Sequence, residues 1–423
     1  MIKKLPLYAV ACLFIMQSLG AQENFKLMFY NLLNFPLEDA VPNRLQYLEV
    51  ILDDYQPDLF MVCELNNSTG ANTILTSLQF INPNYQSAVF ELNTSDDTIS
   101  DQNDLQQLLY YDSSKFILES QTIVTTIFRD FNHYELKLNT TNQDTNPVIV
   151  DVIVCHLKAS QGEDNEAARL QMTQDLTTYL NTFDADSNIV LAGDFNVYRS
   201  SEPAFQELID SANNNTIDFE DPADRIGNWH NNSTFIDVFT QSTRTQSGLG
   251  GSTGGFDDRF DFIMTSSFMT NNPELSFVQD SYQVYGNNAN SQCYNREINS
   301  SDCSGTDYSF FIRDALYNFS DHLPVTLELQ TNQTLLGVSD LFSEAPISFL
   351  GSNLADDMIK IRVDASLQHQ LILTLYNSLG QLIKTIDVNN SLIEIDTSQF
   401  ANGIYYITSS KFQFKPLKFV VAH

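Results

Sequence analysis

Positive charge is what this sequence has least of: 21 Lys and Arg stand against 53 Asp and Glu in 423 residues, a formal net charge of -32. Tight, sequence-independent nucleic-acid binding needs clustered cations to neutralise phosphates, so the composition argues against that class. A hydrolase of anionic substrates stays open, because bound divalent cations can bring an anion to acidic ligands and an acidic surface keeps an exported protein soluble.

Cysteine is also sparse. Of the five, Cys12 lies in the apolar start, and Cys63 and Cys155 sit in strand-like apolar runs, where they read as small buried hydrophobes. Cys293 and Cys303 lie in a polar stretch where export would permit a local disulfide, and the sequence leaves open whether they pair. No Cys/His spacing suits a zinc site, and no Cys stands out as a nucleophile. The glycine-rich 247–255 stretch lacks the Lys-Ser/Thr ending and helix of a phosphate loop. Trp229 is the single Trp, and no Trp/Phe hairpin for entering a membrane is evident.

What is present begins with MIKKLPLYAVACLFIMQSLGAQ: a basic start, a short apolar run and small residues near Ala21. That layout predicts a signal peptide over 1–21 and a secreted or surface protein without stable membrane insertion. The length predicts two units. We place them at 22–330 and 346–423, with a linker at 331–345. Residues 337–423 hold 8 acidic and 6 basic residues, so nearly all the acidity belongs to the first unit. The tail carries short strand patterns, Leu371 to Asn377, Leu382 to Val388 and Ile404 to Thr408, separated by turn residues and suggesting a small all-β sandwich.

Along the first unit one arrangement recurs: an apolar strand, then a polar or ionisable residue where the strand stops. The strands over 25–30, 58–63, 148–157 and 188–193 deliver Asn31, Glu64, His156 with Lys158, and Asp194 with Asn196. The strand over 259–264 carries Asp261 near its start. Asp321 and His322 precede a closing strand over 325–329. Helices are expected over 44–55, 166–180 and 202–212, a meander over 108–128, and polar loops over 66–104 (with a short helix) and 281–319. Each polar residue alone would more often be structural, but eight at strand ends can converge at one edge of an α/β sheet. Hard oxygen donors suit Mg²⁺, Mn²⁺ or Ca²⁺ over Zn²⁺. Phosphoryl transfer uses such an ion together with an acid and a base, for which His322 and His156 are the candidates.

FYN at 29–31, PDLFMVCEL at 57–65, VIVCHLKAS at 152–160, AGDFN at 192–196, RFDFIM at 259–264 and SDHLP at 320–324 resemble the ordered motifs of the endonuclease/exonuclease/phosphatase superfamily. The resemblance implies a four-layer α/β sandwich of two packed sheets flanked by helices, and divalent-metal-dependent phosphoester hydrolysis by a monomer. The implied substrate is a nucleic acid, DNA or RNA. A sphingomyelin-like phospholipid or a small phosphate ester is the alternative. It implies Glu64 as principal metal ligand with Asn31 and Asp321, and Asp194 with Asn196 orienting water. It also implies His322 oriented by Asp261, and His156 beside the phosphate. One departure is Tyr111, where many relatives carry an Arg. YNSLGQLIKTI at 376–386, FANGIYYI at 400–407 and the final FKPLKFVVAH resemble the sorting domain of the type IX secretion machinery, which implies export and removal of the tail.

Overall fold

The computed structural model describes residues 23–94 and 105–336. In the C-terminal part it describes 347–350, 353–355, 357–363, 367, 371–378, 380–409 and 416–423. Segment 1–21, expected to be a signal peptide, lies outside the described residues, as does most of the expected linker 331–345. The chain divides into two units, Met1–Gly337 and Val338–His423.

The first unit runs β1 (Glu23–Phe35), α1 (Leu45–Tyr55), β2 (Leu59–Leu65), α2 (Ser68–Ile81), β3 (Tyr85–Ser87), β4 (Gln106–Asp112), β5 (Phe116–Val124), β6 (Phe131–Leu138) and β7 (Ile149–His156). It continues with α3 (Glu163–Leu180), β8 (Ile189–Asp194), α4 (Pro203–Ile209), β9 (Phe219–Glu220), β10 (Asp261–Ser266), β11 (Ser276–Phe277), β12 (Gln283–Val284), α5 (Phe310–Phe319) and β13 (Val325–Thr331). One sheet has the order β11-β13-β1-β2-β4-β3, with β12 also on β13. The other has the order β5-β6-β7-β8-β10-β9. The β1/β2 and β7/β8 pairs are parallel, and their neighbours are antiparallel. The fold is therefore the four-layer α/β sandwich, with α1, α2 and α5 outside the first sheet and α3 and α4 outside the second.

Side-chain alternation builds these layers. On β7, Val150, Val152 and Val154 enter the core between the sheets, while Ile153 and Cys155 join Met172, Leu176 and Leu180 beneath α3. On β8 and β10, Ala192 and Ile263 face the inner core, while Leu191, Phe262 and Met264 face outward. On β1 the Phe25 ring meets Phe116 of the second sheet at 4.9 Å, and Tyr30 turns outward to Phe319 of α5 at 5.3 Å.

Three expectations are corrected. β4 and β5 do not pair in one meander: the chain crosses between the sheets at 112–116, and the meander is β5-β6-β7. The 281–319 stretch is not only loop, since Ser309 caps α5 by accepting from Ile312 N, and the apolar face of α5 joins the first core. α2 is a full helix of 14 residues, capped by the Asn67 side chain on Gly70 N. Cys293 and Cys303 are disulfide-bonded, and Cys63 and Cys155 are buried thiols.

The second unit consists of β14 (Ile347–Phe349), β15 (Leu354–Ala355), β16 (Met358–Val363), β17 (Ile372–Asn377), β18 (Leu382–Asp387), β19 (Leu392–Asp396), β20 (Gly403–Thr408) and β21 (Leu417–Val421). Two sheets, β14-β16-β19 and β15-β21-β20-β17-β18, enclose one apolar core that includes Ile361, Leu373, Ile395, Ile407 and Phe419. It is a small all-β sandwich.

Candidate active site

His156, Asp194 and Asp261 extend the inner rows of β7, β8 and β10 by one alternation beyond Val154, Ala192 and Ile263. The periodicity that buries the aliphatic residues thus aims these three at the mouth between the sheets. β10 is antiparallel to β8 and places Asp261 opposite Asp194, so a residue starting one strand and a residue ending another share an edge. Gly193 permits the parallel β7/β8 approach, since a Cβ there would lie 2.3 Å from Cys155 Sγ and 2.6 Å from Cys155 O.

Glu64 arrives by another route. Phe60 stacks on Tyr110, whose hydroxyl donates to Ala71 O of α2, so Phe60 and Val62 face the helices. Simple alternation would send Glu64 there as well. Instead Glu64 has φ 54°, the β2 register breaks after Val62, and its carboxylate turns into the mouth. Leu33, Asn34 and Asn196 also have φ near 50°. Left-handed backbone at four non-glycine positions marks the site as locally strained.

Seven of the eight candidate residues form one connected cluster, and Asp321 joins it through Gln241. Asn31 Nδ2 donates to Glu64 Oε1 at 3.0 Å and Asp194 Oδ2 at 3.1 Å. His156 Nε2 lies 4.0 Å from Glu64 Oε1 and 3.6 Å from Asp194 Oδ2. His322 Nε2 lies 3.8 Å from the same Asp194 oxygen, and His322 Nδ1 is 2.7 Å from Asp261 Oδ2. Asn196 N donates to Asp194 Oδ1 at 3.1 Å, and the Asn196 amide reaches Leu157 O at 3.4 Å. Asp321 Oδ2 accepts from Ser252 N at 2.6 Å and from Gln241 Nε2 at 3.3 Å.

Electrostatics separate the two histidines. Burial opposes charging His322, but Asp261, Asp321 and Asp194 outweigh it and hold its pKa well above the imidazole range. Burial, Arg129, His322 and Lys158 push His156 well below that range. His156 Nδ1 has no hydrogen-bond partner among the described residues, and its Nε2 faces the carboxylates. Burial raises Asp194 to about 7 despite His322, with Asp261 and Glu64 adding to the rise. Burial and then Asp321 raise Glu64.

These residues fit a hard divalent cation. Asp321 raises the cost of ionising Glu64, and the Asn31 amide nitrogen sits between two carboxylates as a cation would. The donors on that side are oxygens, apart from His156. Ligand atoms of Glu64, His156 and Asp194 lie within 4.8 Å of one another, as do those of Asp194, Asp261 and His322. Asp321 is in neither group.

Tyr111 is remote from the mouth: it pairs with Leu59, at the opposite end of β2 from Glu64, and its hydroxyl donates to Gln86. The sequence reading missed two residues. Arg129 donates to Leu157 O at 3.1 Å, beside His156, and Gln241 Nε2 lies 2.5 Å from His322 Nε2. Neither has a strand-end signature, and only an unread Arg before β6 hinted at the first.

Residues 353–421 match the family model described as secretion system C-terminal sorting domain. None of the curated proteins matches this chain in sequence. Among solved structures, the chain is similar to an endonuclease/exonuclease/phosphatase family protein from Bacteroides thetaiotaomicron, at 15% identity over 73% of this chain and 96% of that one, with a TM-score of 0.44. It is similar to D. rerio TDP2 complexed with single strand DNA product (14% identity, 73% and 99% coverage, TM-score 0.45). A third likeness is a mannosyl-6-phosphatase from Bacteroides thetaiotaomicron (15% identity, 72% and 99% coverage, TM-score 0.42).

Proposed function

We propose that the first unit is an exported, divalent-metal-dependent phosphoester hydrolase of the endonuclease/exonuclease/phosphatase superfamily, and that its substrate is a nucleic-acid phosphodiester. The observation that carries the reading is the pairing of a charged His322, backed by Asp261, with a neutral His156, both within 4 Å of one Asp194 oxygen. Titratable groups driven apart in this way serve as acid and base.

In the reaction water attacks phosphorus in line as the bond to the leaving oxygen breaks. Asp194, ionising near neutrality, takes the proton of the water, with the Asn196 backbone steadying its other oxygen. His322 Nε2 protonates the leaving oxygen, and a proton passing from Asp194 to His322 restores both groups. His156 Nε2–H donates to the phosphate. Glu64, Asn31 and Asp321 would hold the cation, which supplies charge neutralisation at the phosphoryl oxygens. The sorting domain supports action outside the cell, through the type IX machinery.

The net charge of -32 favours a second reading, a small phosphate ester or phospholipid headgroup, over a long polyanion. Turnover of DNA, RNA, sphingomyelin and an inositol phosphate is to be compared at fixed Mg²⁺ or Ca²⁺. Preference for DNA or RNA is the expected result, sphingomyelin or inositol phosphate alone would move the assignment to the second reading, and turnover of none would overturn both.

A further inference from the structure

Thr240 to Thr243 link the start of β10 to the run bearing Asp321 and His322, and their backbone is clamped from both sides. Thr240 O accepts from Leu323 N at 2.7 Å, and Thr243 N donates to Asp321 O at 3.0 Å. On the other side Gln241 N donates to Asp258 O at 3.0 Å, and Gln241 O accepts from Asp258 N at 2.9 Å. Thr240 Oγ1 accepts from the backbone of Phe260 and Asp261 at 3.0 and 3.2 Å.

Held this way, Gln241 aims its carboxamide into the mouth. Its Nε2 lies 2.5 Å from His322 Nε2 and 3.3 Å from Asp321 Oδ2. Asp261 already engages His322 Nδ1, so Nε2 is the ring nitrogen left to meet a substrate. Gln241 is only half-buried while Thr240, Ser242 and Thr243 are buried, so the amide stands on the accessible side of the clamp. The backbone ladder holds the segment without this side chain. What the side chain adds is a neutral carboxamide beside the catalytic nitrogen, whose oxygen can accept from the charged ring and whose N–H pair can donate to an anion, where a carboxylate would repel an anion and a cation would pair with Asp321.

We propose that Gln241 is a phosphate-binding residue whose amide N–H donates to a non-bridging oxygen of the scissile phosphate once the substrate displaces it from His322. The assignment rests on the phosphoester reading above. Donors of this kind strengthen as charge develops on the oxygen, and losing one costs on the order of 10²-fold in kcat.

The test uses the full chain with saturating Mg²⁺ and two probes: bis(p-nitrophenyl) phosphate, and its analogue with sulfur, a poor hydrogen-bond acceptor, at a non-bridging position. Gln241→Met, of similar length and apolar, should lower kcat on the oxygen ester about 10²-fold with little change in KM, and lower it less on the sulfur ester. Gln241→Asn, too short to reach, gives an independent measurement with the same pattern expected. Equal losses on both esters, or wild-type kcat in both variants, would overturn the role of Gln241 and leave the phosphoester reading standing. Wild-type failure on every phosphoester would overturn both.

Discussion

His322 Nδ1 lies 2.7 Å from Asp261 Oδ2 with both side chains buried, and Asp261 is in turn the register partner of Asp194. Asp261 therefore both orients the imidazole and sustains its charge. Asp261→Asn keeps the shape and removes that charge. It should lower kcat by about 10²–10⁴-fold, the range of a general acid or base, while the melting curve still shows a folded protein. Near-wild-type turnover of a phosphodiester by a folded Asp261→Asn variant would refute the dyad.

Metal binding should be linked to pH. Glu64 and Asp194 have folded pKa values above their ordinary ones, Asp194 at about 7, and Asp257 is raised to about 6 by burial and Asp258. An acid raised in this way binds more protons folded than unfolded, so its contribution is fullest at low pH and is lost as pH rises through the folded value. His322, also raised, acts with the same sign above 6.5. His156, lowered, acts oppositely, but only below 6.5. The metal-free protein should thus lose thermal stability from about pH 6.5 to about pH 8. A cation offsetting the carboxylate charge restores it, so the rise in Tm on adding Mg²⁺ after EDTA treatment should be larger at the higher pH. Equal shifts at both would count against a site at these carboxylates.

The glycine of AGDFN holds its place for steric reasons. In Gly193→Ala the new methyl would meet both Sγ and O of Cys155, across the strand pair that ends in His156 and Asp194. A cost of about 1–3 kcal/mol from overpacking is expected in urea denaturation, together with reduced kcat because two site residues are displaced. Unchanged stability would show that the strands separate freely.

Arg169 and Glu202, both fully buried, pair at 2.5 Å, and Arg169 also donates to Lys158 O and Ser160 O at 2.8 Å. This pair anchors the loop leaving His156. Glu202→Ala leaves a buried cation uncompensated and should cost about 3–5 kcal/mol, measured by urea denaturation at constant m-value. A loss below about 1 kcal/mol would show that water or another acid takes over.

Other arginines act similarly. Arg44 donates to the carbonyls of Leu32, Leu33 and Phe319, and Arg244 donates to those of Tyr317, Leu249 and Gly250. In a chain with few cations, several are buried as loop fasteners rather than presented to a polyanion. The low Lys and Arg count was plain in the sequence, but this deployment was not.

The sequence by itself determined the alternating apolar strands and the polar residues at strand ends. These features are local, written in a period of two that no tertiary contact has to complete. His156, Asp194 and Asp261, singled out at strand ends, lie together at the mouth because each continues the inner row of its own strand. Tertiary structure alone decided the rest. Glu64 reaches the mouth through a left-handed backbone that reverses its side, α5 closes a stretch that reads as polar loop, and Gln241 meets His322 because two distant segments clamp the chain between them. Such placements depend on contacts between residues far apart in sequence, and no local pattern encodes them.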